Sequence, residues 1–306
     1  MKTVMPDCCR GFQCIAGACQ HNCCLGWEID IDADSLARYR AVPGPLGQRL
    51  REAIAEEHGV AHFRLTPGER CPFLNADNLC DLIIELGEGS LCQICADHPR
   101  FRSELSDRTE VGLGLCCEAA ARLILGWREP MRLITVEDDG ASEPADEEEA
   151  ALLTLRDGLI ALMQDRSLPF DKRLTALGRR CQYPARPWAV WRDFLLSLER
   201  LDDAWADILA ALPDDPPPLA GDWDLPFEQL TVYLLFRHLP GALEDGDIVG
   251  RARYAVLIAE LLRALLAIQP APSLDALAEL CRLYSSEIEY SDENVGAILD
   301  ELSRIG

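Results

Sequence analysis

The residues with the clearest chemical potential are cysteines. Cys14, Cys19, Cys23 and Cys24 form a C-x4-C-x3-C-C group, and Cys71, Cys80, Cys92 and Cys95 follow as C-x8-C-x11-C-x2-C. Cys116 and Cys117 are adjacent, as are Cys8 and Cys9. Thiolates are soft ligands, so such density points to zinc, to iron–sulfur chemistry or to redox dithiols. Structural zinc favours paired C-x2-4-C knuckles, and in the second group only Cys92 and Cys95 have that form. Iron–sulfur clusters accept more varied spacing around a larger inorganic core. Adjacent cysteines suit chelation better than a strained disulfide between neighbours. The residue pattern favours an iron–sulfur site, with zinc as the alternative. A radical S-adenosylmethionine motif needs C-x3-C-x2-C; Cys19 and Cys23 supply the first interval, but Gly26 occupies the third position. No G-x-G-x-x-G lies between a strand and a helix.

Other candidates for chemistry are sparser. Asp30, Asp32, Asp81 and Glu85 lie in or beside the cysteine groups. They are available for proton transfer, although helix capping or solvation is the commoner role of any one of them. His21 lies within the first group and Trp27 is placed to shield it, whereas His58, His62 and His238 read as surface or packing residues.

Composition narrows the function classes. With 52 acidic against 29 basic residues, the net charge of −23 opposes nucleic-acid binding. No stretch has the length of a membrane span or the apolar core of a secretory signal. A cytoplasmic location is therefore expected, where thiols stay reduced.

The elements positioning these residues divide the chain by composition. Twelve of the fourteen cysteines precede residue 118. The expected organisation is a cysteine-rich metal-binding module at 1–135, an acidic linker at 136–150 and an α-helical domain at 151–306. The fold class is mainly α: short irregular or strand segments around the thiols, then a helical bundle. In the module, "EIDID" reads either as a short strand or as an extended lead-in to a helix capped by Asp32 or Asp34. Leu46, Leu50 and Ile54 mark a helix face before a loop at 58–62, and a further helix runs from Cys117 to Leu125. In the C-terminal part, apolar residues from Trp188 to Leu212 recur every three or four positions, predicting one helix over 187–212. The prolines of 212–226 interrupt, apolar helices follow at 226–239 and 251–268, and Ser273 and Ser291 are N-caps for the last two.

The ordered blocks "CIAGACQHNCCLGWEIDID", "CPFLNADNLCDLIIELGEGSLCQICADHPRF" and "LGLCCEAAARLIL" resemble the flagellin lysine-N-methylase family, which overlaps a wider class carrying a CxxCxxCC-type zinc- or iron-chelating domain. The resemblance is dense over 14–126 and diffuse beyond. It implies methyl transfer from S-adenosylmethionine to lysine amines of flagellin by an enzyme containing an iron–sulfur centre of the 4Fe–4S type. Its shared blocks place the metal-ligating cysteines at Cys14, Cys19, Cys23, Cys24, Cys71, Cys80, Cys95 and Cys117, and Cys92 joins them through its C-x2-C with Cys95. His98 stands where the family pattern has a tyrosine, and Cys8, Cys9 and Cys116 fall outside the pattern. Neither the catalytic residues nor the S-adenosylmethionine pocket is marked. The rival reading is a non-catalytic iron–sulfur or zinc protein that senses redox state or binds a partner.

Overall fold

A computed structural model describes residues 1–141 and 144–304. The chain is predominantly helical with small sheets, in keeping with the mainly α expectation. It divides into two compact units, one of residues 13–101 and one of residues 1–12 with 102 onward.

The 13–101 unit is built on little regular structure. Asp32 ends the strand Ile29–Ile31 and caps the helix Ala33–Ala41, its carboxylate accepting from Ser35 N at 2.9 Å. Leu46 and Leu50 are buried on the helix Gly44–Ala53, whereas Ile54 opens a strand instead of extending that helix. The expected loop at 58–62 is a hairpin between Ile54–Glu57 and Val60–Phe63. His58 and Gly59 both take positive φ, 50° and 85°, as a tight two-residue hairpin turn requires. The three strands pair antiparallel with Val60–Phe63 at the centre. Tyr39, Phe63 and Phe73 stack through the core, with ring centroids 5.7 and 5.0 Å apart, and Cys71 and Cys92 belong to that core.

The other unit opens with the strand Lys2–Pro6, which pairs parallel with Arg108–Leu113 and antiparallel with Leu133–Asp138. Its helices gather on Ile248–Ala267, which is mostly apolar and buried apart from a stripe that includes Glu260 and Arg263. The helices Phe170–Arg180, Asp224–His238, Leu274–Tyr284 and Asp292–Arg304 pack against it. Ser273 caps its helix through Ala276 N, and Ser291 Oγ accepts from Asn294 N, as expected. The single helix expected over 187–212 is two, Trp188–Leu196 and Asp203–Ala210. Asp202 starts the second by accepting from Ala204 N at 2.8 Å, which leaves Leu201 84% exposed despite its place in the apolar periodicity.

The expected boundaries at 135 and 151 therefore differ from the observed units, because the strand Lys2–Pro6 pairs in the same sheet as Arg108–Leu113 and Leu133–Asp138. The acidic segment 136–150 is not all linker: its start belongs to the strand Leu133–Asp138 and its end to the helix Glu147–Met163, while 142–143 lie outside the described residues.

Candidate metal centre

Backbone hydrogen bonds bring the cysteine segments of the 13–101 unit together. Cys71 N donates to Cys24 O at 2.9 Å and Gly26 N to Glu69 O at 3.0 Å, so 24–26 run beside 69–71. The Arg70 guanidinium donates to Leu74 O and Asn75 O, and Asn75 closes the 75–79 loop by accepting from the amides of Asp77 and Leu79. Asp81 N reaches Phe73 O at 2.8 Å, placing Cys80 at the start of the helix Asp81–Leu86. Cys92 and Cys95 lie in the first turns of the helix Gln93–Asp97. Asp32 holds that helix as well, accepting from Gln93 N at 2.8 Å. Those backbone bonds, from Gln93 and then Ser35, hold the Asp32 carboxyl down at about 2 despite partial desolvation.

The thiols meet at the edge of the aromatic core. Interaction with Cys23 and Cys71 sets the ionisation of Cys24, and interaction with Cys95 that of Cys92. Cys71 and Cys92 influence each other electrostatically, as do Cys95 and Cys23, and Cys80 senses Cys71. Hydrogen bonds from their neighbours lower Cys23 to about 7, Cys71 below its ordinary value and Cys92 to about 7. Cys24 and Cys95, which share those bonds, are pushed up. The lowered values make Cys23, Cys71 and Cys92 richer in thiolate, the form that binds metal, than an ordinary cysteine.

The donor set is all sulfur, suited to iron–sulfur clusters or zinc. The Tyr39 hydroxyl is buried without a hydrogen-bond partner, and burial together with Cys92 and Cys95 pushes its ionisation up. Among the described residues no three His, Cys, Asp or Glu side chains converge on one ion-sized point. The thiols of Cys23, Cys24, Cys71, Cys92 and Cys95 perturb one another's ionisation, as sulfurs of one neighbourhood do.

The remaining sequence candidates are placed differently. Cys14 and Cys19 belong to the same unit but make backbone contacts, Cys14 Sγ accepting from Ala16 N at 3.4 Å and Cys19 Sγ donating to His21 O at 3.3 Å. Cys117 lies in the other unit, as the residue before the helix Glu118–Leu125. Cys8 and Cys9 are buried in that unit with sulfurs 3.9 Å apart. Trp27 donates to Cys23 O and its ring lies 6.2 Å from that of His98. Asp32 is a double cap, and Asp81 pairs with Arg49 at 2.6 Å, so both have structural roles. Asp30 and Glu85 are exposed.

His238, expected at the surface or in packing, is the residue whose role sequence reasoning missed. In the 102-onward unit its Nε2 lies 2.8 Å from the buried Glu289 carboxylate. The same carboxylate accepts from Tyr233 at 2.9 Å and from Ser285 at 2.6 Å. Burial works to raise the Glu289 carboxyl, but Arg237 and the bonds from His238 and Ser285 outweigh it and hold it at about 2. Glu289 ends a π-helical turn, Ser285–Glu289, which periodicity does not signal. The spacings of Ser285 to Glu289 and Tyr233 to Arg237, four residues each, were the only hints.

Three known proteins match part of the chain. It is 27% identical over 136 residues to "Lysine-N-methylase" from Salmonella typhimurium, covering 40% of this chain and 32% of that protein. The same values hold for the Salmonella choleraesuis protein of that name. It is 26% identical over 132 residues to "Flagellar biosynthetic protein FliU" of Salmonella muenchen, covering 40% of this chain and 76% of that one. The chain thus spans about a third of the length of the Salmonella lysine-N-methylases it matches. These matches bear out the resemblance to the flagellin lysine-N-methylase family. No family model matches the chain, and no solved structure does.

Proposed function

We propose that this protein is a protein-lysine N-methyltransferase that uses S-adenosylmethionine to methylate surface lysines of flagellin. The observation that carries the reading is its similarity to the Salmonella lysine-N-methylases and to the flagellar protein FliU. The thiols of Cys23, Cys24, Cys71, Cys92 and Cys95 would hold an iron–sulfur cluster. When bound, such a cluster supplies one-electron chemistry and cross-links segments distant in sequence.

The transfer itself is polar. A lysine ammonium, with a pKa of about 10.4, must first lose a proton. The freed nitrogen lone pair then forms a bond to the sulfonium methyl carbon as the carbon–sulfur bond breaks, its electron pair remaining on sulfur. The chain's net charge of −23 attracts an ammonium-bearing partner. The pairing of Cys23 with Cys24 and of Cys92 with Cys95 favours a second reading, a redox-sensing iron–sulfur or zinc protein without catalysis.

Anoxically purified protein incubated with flagellin and S-adenosylmethionine separates them. The methyltransferase reading expects flagellin peptides to gain mass in methylene steps confined to lysines. Unlabelled flagellin beside protein that retains its iron and sulfide would leave the sensor reading standing.

A further inference from the structure

The proline-rich segment 212–226 carries no role in the thiol site, yet it walls a cleft of about 300 Å³ in the 102-onward unit. Pro217 and Pro218 form one side and Trp188, at the start of its helix, another. The floor is one stripe of the helix Ile248–Ala267: Glu260, Arg263, Ala264 and Ala267 fall at helical spacings of three, four and seven. The two alanines are what leave the space open, since larger side chains there would fill it.

Two charged groups border this apolar cleft, and they differ in commitment. Arg263 is paired with Asp171, and its guanidinium carbon lies 5.8 Å from the Phe170 ring centre. Glu260 forms no ion pair with any described residue at salt-bridge distance, and Tyr183 and Arg263 are the groups that act on its carboxyl. Burial lifts the Glu260 carboxyl above its ordinary range, with Tyr183 and Arg263 opposing this only in part. Its charge is desolvated without full compensation, a cost that a bound cation would relieve.

We infer that this cleft binds an alkylammonium side chain, a lysine, with its methylenes between Trp188 and the prolines and its ammonium at Glu260. The geometry matches the ligand's two parts. Four methylenes prefer the apolar walls, and the charged end prefers the carboxylate and the indole face. The cation is supplied by a partner, because the chain itself has only two lysines, Lys2 and Lys172. Identification of this lysine as the methyl acceptor rests on the methyltransferase reading; occupancy of the cleft by an alkylammonium does not.

The test uses the full chain and Nα-acetyl-lysine amide as probe, with Nα-acetyl-norleucine amide as its uncharged counterpart. The Trp188 indole N–H resonance, assigned by its loss in Trp188→Phe, should shift saturably with the lysine compound. The norleucine compound should leave it in place, and Glu260→Gln should weaken the lysine response about tenfold or more. Equal responses to the two compounds, or undiminished binding by Glu260→Gln with a native circular-dichroism spectrum, would overturn the assignment. Methylation of flagellin is measured on the same preparations. Labelled flagellin without a Trp188 response sinks the cleft and spares the methyltransferase; a Trp188 response without labelling does the reverse.

Discussion

Replacing Glu289 by Gln removes the one negative charge at the centre of the buried His238–Tyr233–Ser285–Arg237 cluster. The side chain is fully buried, so solvent does not screen its interactions. A carboxyl held at about 2 in the folded chain, against an ordinary value of 4.5, contributes about 3 kcal/mol to stability. Removing one partner of a buried ion pair independently gives about 3–5 kcal/mol, because the remaining charge is left uncompensated. The sign follows from the depressed pKa. The contribution is fully present above about 4.5 and disappears as pH falls through about 2. Glu289→Gln should therefore be less stable than the parent at neutral pH by roughly 3 kcal/mol, and the two should converge as acid protonates the parent's carboxyl. Urea titration read by hydrogen exchange in peptides from Asp224–His238 assigns the change to the correct unit. A difference below about 1 kcal/mol at neutral pH, or one that acid leaves unchanged, refutes the electrostatic account.

Further outcomes follow from the 13–101 unit. Metal and acid-labile sulfide analysis of anoxic protein should find both iron and sulfide. Cys71→Ser and Cys92→Ser should lose them while Cys181→Ser, a buried cysteine of the other unit, keeps them; stoichiometric zinc without sulfide would dismiss the iron–sulfur reading. Asp32→Ala deletes acceptors for both Ser35 N and Gln93 N and should cost about 1–2 kcal/mol. Amide exchange at Gln93 should accelerate with it, and unchanged protection there would show that Asp32 does not restrain the Cys92–Cys95 turn. Phe63→Ala, in the centre of the Tyr39–Phe63–Phe73 stack, should cost about 3–5 kcal/mol. Thermal melting and hydrogen exchange of 13–101 peptides check it, and an unchanged melt would mean the stack is not the unit's core.

Much of the helical architecture was legible because it depends on local chemistry. Apolar residues at helical spacing and the hydroxyls of Ser273 and Ser291 mark helices whose caps the structure reproduces. Asp32 was identifiable as a cap because an Asp before a helix satisfies its first free amides. The same periodicity failed across 197–202, where the Asp202 side chain competes for the backbone and starts a new helix. It also failed at 58–62, where two left-handed residues fold the chain into a hairpin that no apolar pattern announces.

The sequence by itself determined that thiols are concentrated before residue 118 of an acidic, mostly helical chain, and its blocks carried a family resemblance that the Salmonella proteins bear out. Their partners were decided only by tertiary structure. The bond from Cys71 N to Cys24 O joins residues 47 positions apart, and Asp32 reaches across 61 positions to Gln93. Such closures depend on which amides the fold leaves unpaired, and spacing along the chain does not encode that. Likewise Cys117, one of the nine cysteines of the expected ligand set, belongs to a different compact unit from the other eight, which its place in the sequence does not show. His238 and Glu289, 51 residues apart, acquired their charge relationship only when burial removed the water that would otherwise separate them.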